Sequence, residues 1–144
     1  MYARRTVAEY HGGPKELGSR LCLYISARMQ LQHVDLSTLD RLFKGDRSRV
    51  DQWIRLYLSE APAYVGELAK SHAANDAVGM ASAAHDLRPQ AHYLGNSRML
   101  ELLIDIDERL RMDGVSACGE QVSELLELCT AVDDELKGVL DRSQ

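Results

Sequence analysis

The sequence predicts an all-α fold, an antiparallel four-helix bundle with a short extra helix on its N-terminal side. Three observations predict it. Leu and Ala dominate a composition that is 45% hydrophobic but only 6% aromatic, a mix that favours helix over strand. Apolar residues recur at steps of three and four through four long segments, with no sustained strand alternation. Asp, Asn or Ser stands where several segments begin, and Gly where several end, which is the chemistry of helix caps. A chain of 144 residues is enough for one domain with one core.

The first 33 residues read differently from the rest. They carry five Lys/Arg and two Asp/Glu, a balance of +3, while residues 34–144 carry twelve and twenty, a balance of −8. His11-Gly12-Gly13-Pro14 is a breaker cluster, and residues 21–29 have the pattern of a short helix. Residues 1–33 are expected to be a partly flexible N-terminal extension and residues 34–144 the bundle. Met29 falls just ahead of what reads as a domain start, which leaves open a natural beginning there.

From Asp35 the text becomes helical. Asp35 or Ser37 is placed to cap a short helix through Phe43, stopped by Gly45. Asp46 or Ser48 caps the next, whose stripe is Val50, Ile54, Tyr57, Ala61, Val65 and Leu68. Pro62 inside it predicts a kink near Leu58, or the start of a new helix. Asn75 or Asp76 caps a third segment with the stripe Met80, Ala84, Leu87, Ala91 and Leu94, ended by Gly95. Asn96 or Ser97 caps the fourth, striped by Met99, Leu103, Ile106 and Leu110 and closed at Met112-Asp113-Gly114. The last carries Val122, Leu125, Cys129, Val132, Leu136 and Val139. Amphipathic helices with short connections pack antiparallel.

Charge and composition exclude several classes. The net charge is −5, with no run of five or six like charges and no basic stripe, so no nucleic-acid surface is expected. No stretch approaches the ~20 apolar residues of a membrane span, and no apolar run precedes Gly12 as in a secretory signal. Three cysteines, Cys22, Cys118 and Cys129, do not make a disulfide framework and suit a reducing compartment. A cytoplasmic protein is expected, with Cys118 and Cys129 as small apolar filler.

The chemistry is concentrated in Ala84-His85-Asp86-Leu87-Arg88-Pro89-Gln90-Ala91-His92-Tyr93-Leu94-Gly95. At about 100° per residue, His85 turns off the apolar stripe toward solvent. Arg88 and Pro89 flank it one turn on, Ala81 and Ser82 one turn before, and His92 lies two turns on. A solvated imidazole titrates near ~6.5, so much of it is a neutral nucleophile around neutrality. A guanidinium beside it can pair with a phosphoryl group, and small neighbours let another protein's active site close over the ring.

This segment resembles the signature of histidine-phosphotransfer (HPt) domains, His-x-Leu-Lys-Gly followed by Leu-Gly. Here it reads His85, Leu87, Arg88, Pro89, Leu94 and Gly95, and the resemblance covers residues 35–140. It implies a phosphocarrier rather than an enzyme, one that relays a phosphoryl group between receiver-domain aspartates in a bacterial two-component phosphorelay through phospho-His85. Its implied partners are a response-regulator receiver domain and a hybrid sensor histidine kinase, with no nucleic acid and no membrane. The protein would be a monomer and would need no cofactor of its own, the Mg²⁺ sitting on the receiver. Arg88 would stabilise the phosphoryl group, and Ala81, Ser82, Pro89 and His92 would dock the partner.

Three positions depart from the family pattern. Arg88 stands for the Lys and keeps the charge. Pro89 stands for the Gly; it keeps the clearance, removes the bond to the His85 carbonyl and predicts a local kink. His92 stands where a small residue is usual.

Blander readings compete at each position. His33 and His72 read as ordinary surface residues, and His92 as an interface residue rather than a second acceptor. His85 and His92 lie seven residues apart, roughly 10 Å along a helix, too far to share a metal ion. Asp105, Asp107 and Glu108 read as a solvated face rather than a hydrolase pair. Trp53 and Phe43 read as core, with receiver contact as their alternative. Two other function classes remain: a phosphorylation-independent adaptor binding a receiver or kinase, and a kinase dimerisation fragment. The second would need a glycine-boxed nucleotide domain, which the sequence lacks.

Overall fold

The computed structural model describes residues 31–143. The expectations placed on residues 1–30, namely the leader's character, its short helix, Cys22 and a start at Met29, lie outside the described residues.

Five helices follow in order: α1 (Ser37–Leu42), α2 (Arg47–Ala73), α3 (Ala77–Tyr93), α4 (Ser97–Met112) and α5 (Gly119–Ser143), with a 3₁₀ turn at Val115–Cys118 before the last. The long helices α2 to α5 pack on their neighbours in chain order, and α5 closes back on α2. The result is an antiparallel four-helix bundle with α1 as the short extra helix. The described residues contain no strand.

Capping chemistry sets the ends. Asp46, Asp76 and Asn96 are the N-caps of α2, α3 and α4, and their side chains accept from the N–H groups of Arg49, Gly79 and Met99. A residue at positive φ stands directly before each cap: Gly45 (78°), Asn75 (56°) and Gly95 (63°). The helix α1 differs; its N-cap is Leu36, and Asp35 instead accepts from the Ser37 N–H at 2.9 Å.

The core is the set of stripes read above, with small changes. Each of the six apolar positions named on α5 is buried, as are Met80, Ala84, Leu87, Ala91 and Leu94 in and just after α3. Val65 and Leu110 are only half-buried, while Ala83, Leu102 and the polar Ser71 are buried. Cys118 and Cys129 are buried free thiols. Burial pushes the Cys129 thiol up to about 12.

Neither proline breaks its helix. Both α2 and α3 run as single helices through Pro62 and Pro89, so no new helix starts at Pro62. Both prolines are exposed. The missing donors therefore leave the Leu58 and His85 carbonyls on the solvent side, where water can serve them. Burial of Leu87 and Ala91 on the opposite face holds α3 together against a cost of about 3 kcal/mol.

Residues 31–33, read from sequence as part of the extension, are tied to the bundle. The N–H groups of Gln32 and His33 donate to the Glu135 carboxylate. The side-chain amide of Asn96 donates to the His33 carbonyl at 2.7 Å, and the Asp35 N–H donates to the Leu94 carbonyl at 2.8 Å. Gly95 makes this docking possible. A Cβ there would lie 2.8 Å from the Asp35 Cβ and 2.9 Å from its carbonyl oxygen, on a backbone at φ +63°.

Gly95→Ala is therefore expected to destabilise the fold by at least about 1–2 kcal/mol from the left-handed backbone alone. Urea unfolding checks this through the midpoint; an unchanged midpoint would contradict the close approach.

Candidate functional site

Helix α3 carries the candidate site because its two faces differ. Met80, Ala83, Ala84, Leu87 and Ala91 are buried along one side. His85 then lies roughly 150° from the centre of that stripe at 100° per residue. It is exposed, together with Ser82, Asp86, Pro89 and His92; Ala81 is half-buried. Val78, 82% exposed, extends the same outer face. Steps of four, three, four and three through 78, 82, 85, 89 and 92 make this one continuous ridge. Sequence reading singled out all of these except Val78, whose signal was its seven-residue spacing from His85.

Arg88 does not stand free beside the histidine. It is half-buried and turned toward α4, where its terminal nitrogen lies 3.2 Å from the Asp107 carboxylate. The same carboxylate oxygen lies 3.1 Å from Arg111, one turn further along α4. The Nε of Arg88 is buried without a hydrogen-bond partner among the described residues. Asp107 is the residue that sequence reading missed. Its spacing to Arg111 was visible, but nothing local to α4 announces a partner on α3. Asp105 is likewise committed, to Arg109 at 3.0 Å.

The aromatic residues serve the seam between α2 and α3. Trp53 stacks on Tyr57 with centroids 5.7 Å apart and meets Tyr93 edge-on at 6.0 Å. Tyr93 in turn meets His92 edge-on at 5.7 Å. Trp53 and Phe43 are half-buried and packed against the core, so both are largely spent on structure. His72 and His33 are half-buried.

No group of three or more His, Cys, Asp or Glu among the described residues is placed to hold a metal ion. No described helix is long and apolar enough to cross a membrane. An open cleft of about 520 Å³ lies by the α3–α4 turn, among Leu31, His33, Asn96, Arg98, Glu124 and Leu128. None of its lining residues belongs to the ridge. The ridge is convex, a shape suited to entering another protein's active site.

Fold and ridge together define a class: a small helical bundle that presents an imidazole outward on a regular helix. The family model for the Hpt domain matches residues 52–135, from within α2 to within α5, and the chain belongs to the Hpt domain family. No curated protein and no solved structure matches the chain. Members of this family serve histidine phosphotransfer in phosphorelays, which gives the chain its broad role.

A histidine on the ridge contributes nothing to the core, whereas its neighbour two residues on does. His85→Gln is expected to change unfolding free energy by less than about 0.5 kcal/mol, and Leu87→Ala to cost about 2–5 kcal/mol. Parallel urea titrations measure both; a large loss in His85→Gln would mean that the ring is structural.

Proposed function

We propose that His85 is the phosphoryl acceptor of a relay in which receiver domains are donor and recipient. The observation that carries this reading is an exposed imidazole on the convex side of α3, with Leu87 and Leu94 buried in register beneath it. In the forward step a ring nitrogen of neutral His85, Nε2 by family analogy, attacks the phosphorus of a receiver's aspartyl phosphate. An N–P bond forms, the P–O bond to the aspartate breaks, and the carboxylate leaves with the bonding pair. The other ring nitrogen keeps its proton until solvent or a partner base removes it. The return step reverses this on a second receiver aspartate.

The receiver brings Mg²⁺ and its acidic pocket, so charge neutralisation comes mostly from the partner. This chain supplies the nucleophile, a nearby guanidinium in Arg88, and a docking ridge that includes Ala81, Ser82, Pro89 and His92. It acts as a phosphocarrier. We assign residues 34–144 to the carrier bundle and residues 1–33 to an extension tethered at its end. A monomer in the cytoplasm, charged by a hybrid sensor kinase, fits this use, since the bundle closes its own core.

The test is transfer from a phosphorylated receiver or an ATP-fed hybrid kinase, following acid-labile label. Wild type is expected to take label and His85→Gln to take none while still binding the receiver. Label that persists on His85→Gln would refute the assignment. Equal biological output from both proteins would point to an adaptor.

A further inference from the structure

We propose that Asp107 is a positioning residue that competes with the phosphoryl group for Arg88, and that Arg111 sets the strength of that competition. The inference rests on His85 being the acceptor, and it concerns how Arg88 becomes available.

The geometry is asymmetric. One oxygen of Asp107 serves two guanidiniums, Arg88 at 3.2 Å and Arg111 at 3.1 Å. Arg88 reaches across from α3, whereas Arg111 sits one turn along α4 from Asp107, at a spacing that needs no interhelical contact. When Arg88 leaves, Asp107 keeps a cation. No carboxylate is stranded, which is the outcome that usually makes breaking a half-buried pair costly. Arg88 is also the less satisfied partner, because its Nε is buried with no hydrogen-bond partner among the described residues.

Phosphorylation changes the competition. Arg88 lies three residues from His85 on the same helix, within side-chain reach. A phosphoryl group on the ring brings up to two negative charges and several acceptor oxygens, against the single charge of Asp107. A fork-shaped guanidinium gains more hydrogen bonds there than from one shared carboxylate oxygen. In the unmodified protein Arg88 is parked on α4; in the phosphorylated protein it moves to the ring. Asp107 thus lowers the stability of phospho-His85, and Arg111 moderates that effect by sharing the carboxylate.

Phosphoramidate tests this without any partner protein. It transfers its phosphoryl group to exposed imidazoles; its N–P bond breaks, ammonia leaves and a new N–P bond forms on the ring. In a buffer holding phosphoramidate and ammonium, the labelled fraction at each histidine is read by mass spectrometry. His92 on the same ridge serves as the internal reference.

Asp107→Asn is expected to raise the labelled-to-unlabelled ratio at His85 about two- to five-fold relative to His92, the range for a partly exposed ion pair. Arg111→Gln is expected to lower it, since Asp107 then holds Arg88 alone. In an Arg88→Gln background the Asp107→Asn effect should vanish. An unchanged ratio in Asp107→Asn, or an increase that survives in Arg88→Gln, would overturn the competition while leaving the acceptor role intact. Label on His92 with none on His85 in wild type would overturn the acceptor role and the inference together.

Discussion

The buried stripe of α3 and the imidazole of His85 lie on opposite sides of one rigid cylinder, and every property of the site follows from that rotational register. Met80, Leu87 and Leu94 are at most 1% exposed, so α3 cannot roll without tearing apolar area from the core. Rolling it would bring His85 inward and leave a polar ring where the bundle is most tightly packed, a large penalty. The core therefore determines which way His85 faces, although the ring itself is exposed. Gly95 and Asn96 secure the C-terminal end of the same helix. One admits the backbone of Asp35 against the turn, and the other ties that turn to His33.

A second layer is electrostatic. The bundle is acidic overall, and several of its arginines are held by neighbouring carboxylates, as in Arg98 with Glu101 and Glu124, or Arg109 with Asp105. Arg88 follows the same pattern rather than standing exposed beside His85. For a phosphocarrier this has a use. Under the proposed acceptor role, a guanidinium held elsewhere would not disfavour binding of the receiver's own cation during docking, yet it sits three residues from His85 on the same helix. The group must be passed on as well as received, so a carrier that bound it too tightly would stall the relay. Under the proposed competition, Asp107 would keep the two states closer in free energy.

Much of the fold was legible because helix stripes and caps are local. The α5 positions Val122 to Val139 obey one period, and the capping residues Asp46, Asp76 and Asn96 were each among two neighbouring candidates. What escaped depended on more than one element. The Arg88–Asp107 pair needs the axial offset between α3 and α4, which sequence spacing does not give, and Asp105, Asp107 and Glu108 looked alike. Val65 and Leu110 fit their stripes but lie only half-buried, because a period says nothing of how wide each interhelical seam is. The prolines predicted kinks on local grounds. The helices stay continuous through both prolines, which excludes a new helix at Pro62, and both rings stand on the solvent side with the packing opposite. The docking of residues 31–33 was missed for the same reason as the ion pair, for its anchors Glu135 and Asn96 are remote in sequence.

The most direct test of the account is a nitrogen–phosphorus correlation by NMR on protein carrying ¹⁵N-labelled histidine, recorded after transfer from a phosphorylated receiver. A single coupled nitrogen assigned to the ring of residue 85, with the spectrum of the α3 core unchanged, is the expected result. Coupling to His92 or His72 instead, or a phosphoryl signal with no coupled nitrogen at all, would contradict it.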